Sequence, residues 1–252
     1  MPESNDPSEL IDLHFCTLRV AVNSERAAAT AIAENPANAL APANDGEGAV
    51  LAAKKWKPGR LLRVRFLGGS EHVRARVEHY ALAWVREAGA NLRIEFVTAG
   101  DSEIRVTFNR GGSWSVLGTD ALTVPATEAT MNFGWFDDNT AEEEFSRTTI
   151  HEFGHALGLI HEQQHPGADI PWNRPLVYEY YEKTQGWSTA QVEHNLFKAY
   201  DRTIVNASAY DPHSIMHYAI PARLLTDPAR AVGWNRVLSP LDITFIRSVY
   251  PK

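Results

Sequence analysis

Cysteine is almost absent from this 252-residue sequence, which contains only Cys16. A single thiol cannot form a disulfide within the chain, so the fold must be held by its hydrophobic core, with or without a metal ion. That core can be substantial, because the length suits one large domain or two small ones and 44% of the residues are hydrophobic. A disulfide-rich secreted scaffold is therefore excluded, and a reducing compartment would be tolerated.

Three further features are missing. The first ten residues, MPESNDPSEL, lack the basic start and the apolar stretch of a signal peptide. No apolar run is long enough to span a bilayer. No block of lysine and arginine stands out, and the net charge is −7, so neither nucleic acid nor a membrane is expected as a partner. We expect a soluble protein, either cytoplasmic or secreted without a classical signal, whose oligomeric state the sequence leaves open.

The chain divides into two regions of different composition. Residues 1–53 combine an extended apolar segment, a short alanine-rich helix and a loop rich in alanine and proline, and we interpret them as an N-terminal extension. Stronger periodic patterns begin after this region. The predicted elements are strands at 60–67, 91–97 and 103–109, short edge strands near 111–118 and 129–135, and helices at 71–89, 142–160 and 239–250.

The stretch HEFGHALGLIHEQQHP, residues 151–166, carries the chemistry. Residues four apart lie on one face of a helix, so His151 and His155 can hold one metal ion. Glu152 lies beside that face, where it can bind a water without ligating the ion. The pattern predicts a catalytic zinc site. The alternative is that His151 and His155 bind no metal and are two partly exposed residues of an amphipathic helix.

A catalytic zinc ion takes a third protein ligand and keeps one position open. His161 lies six residues after His155, so the helix must end and the chain must turn before it. Gly158 is placed where a left-handed residue would be wanted. His165 is a weaker candidate for the ligand, because it precedes Pro166, which restricts the local backbone.

The sequence HEFGHALGLIHE resembles the zinc-binding motif of the metzincin proteases and, within them, of the astacin family, where a glutamate follows the third histidine as Glu162 does. SIMHY, at 214–218, resembles the methionine turn of astacins. The likeness covers roughly residues 54–252. It implies an α+β fold with a twisted, mostly parallel sheet, an antiparallel edge strand, an active-site helix and a C-terminal subdomain that ends in a helix. The upper part would be 54–161 and the lower part 162–252.

The resemblance also implies an activity and a set of roles. The chain would be a zinc endopeptidase that holds one zinc ion through His151, His155 and His161 and acts on protein or peptide substrates. A water on the zinc, activated by Glu152, would hydrolyse the peptide bond. Tyr218 would stabilise the transition state and can serve as a fifth zinc ligand.

Two more residues receive supporting roles from the resemblance. Met216 would form the apolar floor of the site, and Glu162 would support it from behind. Each assignment has an alternative: Met216 as ordinary core, Tyr218 as a surface aromatic and Glu162 as a solvated carboxylate. The edge strand near residues 111–118 would pair with an extended substrate, or it is simply an ordinary edge strand.

This sequence departs from typical astacins in lacking disulfides and a signal peptide, which indicates a divergent branch. Residues 1–53 would then be a removable pro-segment. Cys16 within them has two interpretations. Its thiolate could fill the open zinc position and keep the enzyme latent, as in matrix metalloproteases, or Cys16 is a small buried apolar residue. The F-x-G-D pattern that astacins use for latency is not found here.

Two other functions remain open. A catalytically silent metzincin-fold module would bind peptides without cutting them, although such a protein has no chemical need for Glu152. A structural zinc protein would use four closed ligands, often cysteines, which this chain cannot supply.

Overall fold

The computed structural model describes residues 16–40, 54–199 and 209–252. Its strands are β1 (Cys16–Arg19), β2 (Leu61–Phe66), β3 (Arg93–Phe96), β4 (Ile104–Thr107), β5 (Ser113–Val116) and β6 (Met131–Asn132). They form one sheet in the order β1-β5-β6-β4-β2-β3. The pattern of alternating apolar residues correctly located β2, β3 and β4. In β3 the apolar residues are the less exposed ones, and in β4 the first three residues are buried.

Strand direction changes once across the sheet. Strands β3, β2, β4 and β6 are parallel to one another, and β5 runs antiparallel to β6. Strand β1 lies parallel to β5 on its outer side, with Cys16 opposite Ser113 and Arg19 opposite Val116. The predicted fold class, a mostly parallel sheet with an antiparallel strand at one side, is confirmed. The sequence did not indicate that β1 would cover the outer edge of β5.

The helices are α1 (Ser24–Glu34), α2 (Glu71–Ala81), α3 (Ala83–Arg86), α4 (Glu142–Ala156), α5 (Arg174–Gln185), α6 (Thr189–Val192) and α7 (Pro240–Val249). Short 3₁₀ segments lie at Pro36–Leu40, Gly118–Thr123, Glu162–Gln164, Ala222–Leu224 and Pro228–Arg230, and a π-helical turn lies at Glu193–Phe197. Within the described residues, no helix is long and apolar enough to cross a membrane.

The single helix predicted at 71–89 is instead two helices, α2 and α3, which meet at Leu82. Tertiary packing explains the break. Trp84 is fully buried, and its indole N–H donates to the carbonyl of Ile150 on α4 at 2.8 Å. The second helix then ends at Arg86, ahead of Gly89, whose φ is 75°.

Two hydrophobic clusters make up the described core. The first surrounds the sheet and α4, and it includes Met216 and Ile246. The second joins α5, α6 and the chain that follows the methionine turn, and it includes Cys16 and Tyr218. Helix α7, although last in the chain, therefore packs into the first cluster, and the candidate site lies where the two clusters meet.

The C-terminal end of α4 is held by residues from distant parts of the chain. The indole N–H of Trp56 donates to Ala156 O at 2.8 Å, and the hydroxyl of Tyr250 donates to Leu157 O at 2.7 Å. The last carbonyls of a helix lack partners within it, so these two bonds satisfy groups that would otherwise be buried unpaired. They fix the position from which the chain turns towards His161.

Candidate metal centre

Helix α4 presents two histidines and a glutamate at one buried surface. Its first turn carries three glutamates, which favour a helix N-terminus because they face the positive end of the helix dipole. His151 and His155 lie one turn apart on the same face, and Glu152 lies beside them. The exposed fraction is 5% for His151 and 0% for both His155 and Glu152. Partly exposed histidines on a surface helix, the alternative interpretation of the motif, do not describe this arrangement.

Helix α4 ends in a Schellman motif that redirects the chain. The N–H of Leu159 donates to Gly154 O at 3.0 Å, and the N–H of Gly158 donates to His155 O at 2.8 Å. Gly158 has a φ of 90°, a left-handed conformation that glycine adopts without strain. The turn ends the helix before the predicted residue 160. It brings His161 back to His155, with 3.1 Å between their Nε2 atoms.

Four potential ligand atoms converge at this point. The Sγ atom of Cys16 lies 3.0 Å from His151 Nε2, 3.4 Å from His155 Nε2 and 3.0 Å from His161 Nε2. All four ligand atoms lie within 4.8 Å of one another. Nitrogen ligands of a tetrahedral zinc ion stand about 3.3 Å apart, since each Zn–N bond is about 2.0–2.1 Å.

The ring tautomers indicate that this cluster is a cation site. His151 Nδ1 donates to Ile215 O at 2.8 Å, and His155 Nδ1 donates to Leu159 O at 2.8 Å. The Nε2 atom of each neutral ring therefore carries a lone pair aimed at the common centre. Converging lone pairs repel one another unless a cation lies between them. Three imidazole nitrogens and one thiol sulfur are a ligand set that zinc takes, so the residues present fit a zinc ion.

Burial sets the protonation states of the ligands. It lowers the pKa of all three imidazoles, that of His155 to about 4, and so keeps them in the neutral form that binds metals. Burial raises the pKa of the Cys16 thiol well above its usual value. A thiolate at this position therefore requires a neighbouring cation.

The methionine turn supports the histidines from below. Asp242, the capping-box residue of α7, accepts hydrogen bonds from Ser214 Oγ at 2.7 Å and from the N–H of Ile215 at 2.9 Å. The carbonyl of Ile215 in turn orients His151. Asp242 belongs to the local capping pattern that starts α7, and nothing near it in the sequence indicates that its carboxylate also reaches the methionine turn.

Glu162 connects the third histidine to the same turn. Its N–H donates to Met216 O at 3.1 Å, and its Oε1 accepts from the N–H of Asp211 at 2.9 Å. Burial raises the pKa of Glu162 to about 8. Glu162 is half-buried, and the backbone hydrogen bond from Asp211 holds its carboxyl beside the site.

Tyr218 lies against the ligand cluster with an exposed fraction of 5%. Its ring centroid is 4.5 Å from that of His161, and its hydroxyl lies 3.9 Å from Cys16 Sγ. The hydroxyl donates a hydrogen bond to the backbone carbonyl of Cys16. The tyrosine is therefore not a surface aromatic, and in this structure it holds the segment that carries the cysteine.

Glu152 stands apart from these hydrogen-bonded residues. Its two carboxylate oxygens are buried and make no hydrogen bond of ordinary geometry with the described residues, and the Cys16 thiol is close enough to interact with them. Burial raises the pKa of the carboxyl well above its usual value. A buried carboxylate without partners is costly to maintain unless it has a chemical use.

We expect Gly154→Ala to destabilise the site. A Cβ atom at this position would clash with Met216 Sδ and lie 3.2 Å from Trp84 Cζ2, so the buried Met216 side chain would have to move. Overpacking of this kind typically costs about 1–3 kcal/mol. Thermal unfolding of the zinc-loaded protein checks this, with Gly233→Ala as the control, because a Cβ atom there meets no atom within 4 Å. Equal melting temperatures for the two variants would contradict the expectation.

Comparison with known proteins gives the family. The family model for the astacin peptidases matches residues 53–250. The chain belongs to the astacin family. The metzincin resemblance, the fold class and the metalloprotease assignment drawn from the sequence are thereby confirmed.

Individual relatives agree with this assignment. A structure of myroilysin is 50% identical with a TM-score of 0.76, and the match covers 79% of this chain and 97% of that one. A crystal structure of myroilysin is 41% identical with a TM-score of 0.65, and covers 99% and 98% of the two chains. High choriolytic enzyme 1, a hatching enzyme zinc-protease from Oryzias latipes, is 21% identical with a TM-score of 0.51 over 78% of this chain and 92% of that one, and shows the fold alone.

One curated relative is much longer. Protein SpAN from Strongylocentrotus purpuratus is 26% identical over an alignment of 200 residues, which covers 73% of this chain and 28% of SpAN. The chain therefore spans under a third of the length of that astacin relative.

The astacin motifs located His151, His155 and His161 of the metal cluster, whereas Cys16 was singled out by analogy with matrix metalloproteases. The motifs did not indicate the surroundings of Glu152. A recess beside this glutamate is lined by Trp135, Arg147 and Trp234, none of which sequence reasoning selected. Arg147 precedes His151 by one helical turn, and that spacing was the only local signal that could have indicated it.

Proposed function

We propose that this chain is a zinc endopeptidase and that Cys16 holds it in a latent state. The observation that carries the proposal is the convergence of three imidazole Nε2 atoms and the Cys16 thiol, directly beside the unpartnered carboxylate of Glu152. Three histidines are the protein ligands of a catalytic zinc, and the thiol occupies the position that water or substrate would need.

When bound, the zinc ion would supply a Lewis acid that polarises the substrate carbonyl and makes a water ligand more acidic. Glu152 is placed to accept the proton of the attacking water and to deliver it to the leaving amine. Its burial favours this role, because bulk water is kept away from the carboxyl while it carries the proton between the two steps.

Tyr218 would stabilise the charge that develops on the substrate carbonyl oxygen. Its hydroxyl already donates to a carbonyl oxygen at the site, that of Cys16. A substrate carbonyl in the same place would receive the same hydrogen bond, and such a donor is typically worth about 3 kcal/mol. Met216 and Glu162 would keep the three histidines in place through the methionine turn.

We assign residues 1–53 to a pro-segment and 54–252 to the catalytic domain. The assignment is supported by the family match, which begins at residue 53. Contacts of the described part of the extension also support it. Strand β1 pairs with β5, and two asparagines that follow α1 bond to residues just after the proposed boundary. Asn35 Nδ2 donates to Trp56 O at 3.1 Å, and Asn38 Nδ2 donates to Lys55 O at 2.9 Å.

Replacing Cys16 tests the function and the latency together. We expect Cys16→Ala in the full-length chain to bind one zinc ion and to cleave a mixed peptide library at least about ten-fold faster than the wild type. This factor corresponds to a wild-type protein in which about one molecule in ten or fewer has an open zinc position. Chelation should abolish cleavage, and added zinc should restore it. Thr17→Ala, which alters the neighbouring residue of β1, is the matched control and should remain slow.

Other outcomes separate the remaining interpretations. Equal cleavage by the wild type and by Cys16→Ala would remove the latency role and leave Cys16 as a buried apolar residue. Zinc binding without any cleavage by Cys16→Ala would favour the peptide-binding module over the endopeptidase.

A further inference from the structure

A four-residue strap, residues 20–23, joins β1 to α1 and lies in solvent. It follows Arg19, the last residue of β1, and ends where α1 begins at Ser24. The side chain of Val22 is fully exposed and that of Val20 is 53% exposed. Two aliphatic side chains within four residues therefore add little buried apolar surface to the fold.

The strap borders a cleft and offers the geometry that a protease needs. The cleft has a volume of about 350 Å³ and is lined by the strap and by Thr123, Val124 and Pro125 among others. Ala21 ties the strap to the catalytic domain, since its N–H donates to Asp120 Oδ2 at 2.9 Å. An exposed segment outside helices and strands can enter a protease with little local unfolding.

The chain before the strap is anchored at the metal centre. The Sγ atom of Cys16 lies 3.0 Å from the Nε2 atoms of both His151 and His161. The Tyr218 hydroxyl donates to the Cys16 carbonyl, and β1 pairs with β5 over four residues. This first anchor places the thiol where the open zinc position would be.

The chain after the strap is anchored at a separate place. Helix α1 packs against the 3₁₀ segment Gly118–Thr123 and buries Ala27 and Ala31. Glu34, its last residue, forms an ion pair with Arg60, with 3.2 Å between Oε1 and Nε. These contacts involve no ligand of the metal centre, so α1 can stay in place whether or not the thiol does.

The two anchors reinforce each other only while the strap is intact. A bound α1 keeps β1 at a high effective concentration beside the metal centre, so a thiol that leaves rebinds quickly. Linkage of this kind typically strengthens binding by about 10²–10⁴-fold. A cut that falls after α1 leaves both anchors on one piece, whereas a cut in the strap separates them.

We infer that the strap is a proteolytic activation site, cut by an endopeptidase that selects small aliphatic side chains, and that this cut releases Cys16. The inference rests on the proposed endopeptidase function and its latency. Hydrolysis after Val20 or Val22 consumes one water and leaves a carboxylate before the cut and an amine after it. The exposed valines indicate the class of protease, because a side chain already in solvent can enter an apolar pocket without breaking a contact of the fold.

The test digests the full-length, zinc-loaded protein with an elastase-type serine protease, which is then stopped with a serine-specific inhibitor. We expect mass spectrometry to find a cut after Val20 or Val22. Maleimide should then label Cys16, the only thiol of the chain, at least about ten-fold faster than in the uncut protein. Peptide cleavage per molecule should also rise when the cut protein is diluted about a thousand-fold, because the strand that carries Cys16 is no longer tethered. In the uncut protein, labelling and cleavage should not depend on dilution.

The double variant Val20→Asp with Val22→Asp removes both aliphatic side chains and leaves both anchors intact, so it should stay latent under the same digestion. Val237→Asp is the matched control, because Val237 is a 68% exposed valine outside the strap, and this variant should be activated like the wild type.

Three results would overturn the inference while Cys16→Ala is active: no cut in the wild-type strap, a strap cut that leaves labelling slow at every dilution, or activation of the double variant at the wild-type rate. A Cys16→Ala chain that cleaves no peptide would instead overturn the proposed function, and this inference with it.

Discussion

Glu152→Gln, made in the Cys16→Ala chain, is expected to lower kcat by about 10²–10⁴-fold while the zinc content stays unchanged. Glutamine keeps the shape of the side chain but cannot accept a proton from water or return it to the amine. The zinc ligands are untouched, because Glu152 has no hydrogen bond to a described residue that orients them. Removing a buried, unpartnered carboxylate should also leave the stability equal or slightly higher.

Single-turnover cleavage of one defined peptide, together with metal analysis, measures this effect. Glu143→Gln is the matched control, because Glu143 lies on the same helix, is 66% exposed and should have no effect on the rate. Turnover by the Glu152→Gln protein at the Cys16→Ala rate would show that another group handles the proton. Loss of zinc would show instead that Glu152 supports the ligands.

Lys54→Met is expected to lower the free energy of unfolding by about 3–5 kcal/mol, the usual cost of breaking a buried ion pair from one side. The Lys54 ammonium bonds to Asp120 Oδ1, and the two side chains are 2% and 0% exposed. Asp120 Oδ2 also accepts the N–H of Ala21 at 2.9 Å, so one buried carboxylate joins the segment that follows β1 to Lys54. Methionine would leave that charge buried with only a backbone donor.

Urea unfolding of the full-length chain measures this difference. The double variant Lys54→Met with Asp120→Leu should recover a large part of the loss, because it removes both charges. Lys183→Met is the control, since Lys183 pairs with Glu179 on an exposed helix face and should change stability by about 0.5 kcal/mol or less. If Lys54→Met and Lys183→Met had the same small effect, the buried pair would contribute little to stability.

The local parts of the site could be predicted from the sequence. The helical spacing of His151 and His155 and the glycine at 158 each act within a few residues, so they predicted the ligand face and the turn towards His161. The capping box of Ser239 and Asp242 is likewise a local pattern, and it lies at the start of the helix that the sequence predicted at 239–250. The strands β2 to β4 were found for the same reason.

Contacts between distant segments could not be predicted in this way. Nothing near Cys16 specifies that β1 pairs with β5, since any sheet edge offers the same backbone groups. The same limit applies to Asp242, whose carboxylate reaches the methionine turn, and to Arg147, which on sequence alone is one polar residue of an amphipathic helix. The division of α2 from α3 also depends on where Trp84 is buried.

The pairing of β1 with β5 has a consequence for the behaviour of the protein at high concentration. Strand β1 occupies the backbone hydrogen-bonding groups on the outer side of β5, and parallel pairing is somewhat weaker per residue than antiparallel pairing. Once β1 is displaced, the sheet has an open edge that can pair with an extended peptide or with the same edge of another molecule. The four residues of β1 therefore also cover a sheet edge that would otherwise be available for such pairing.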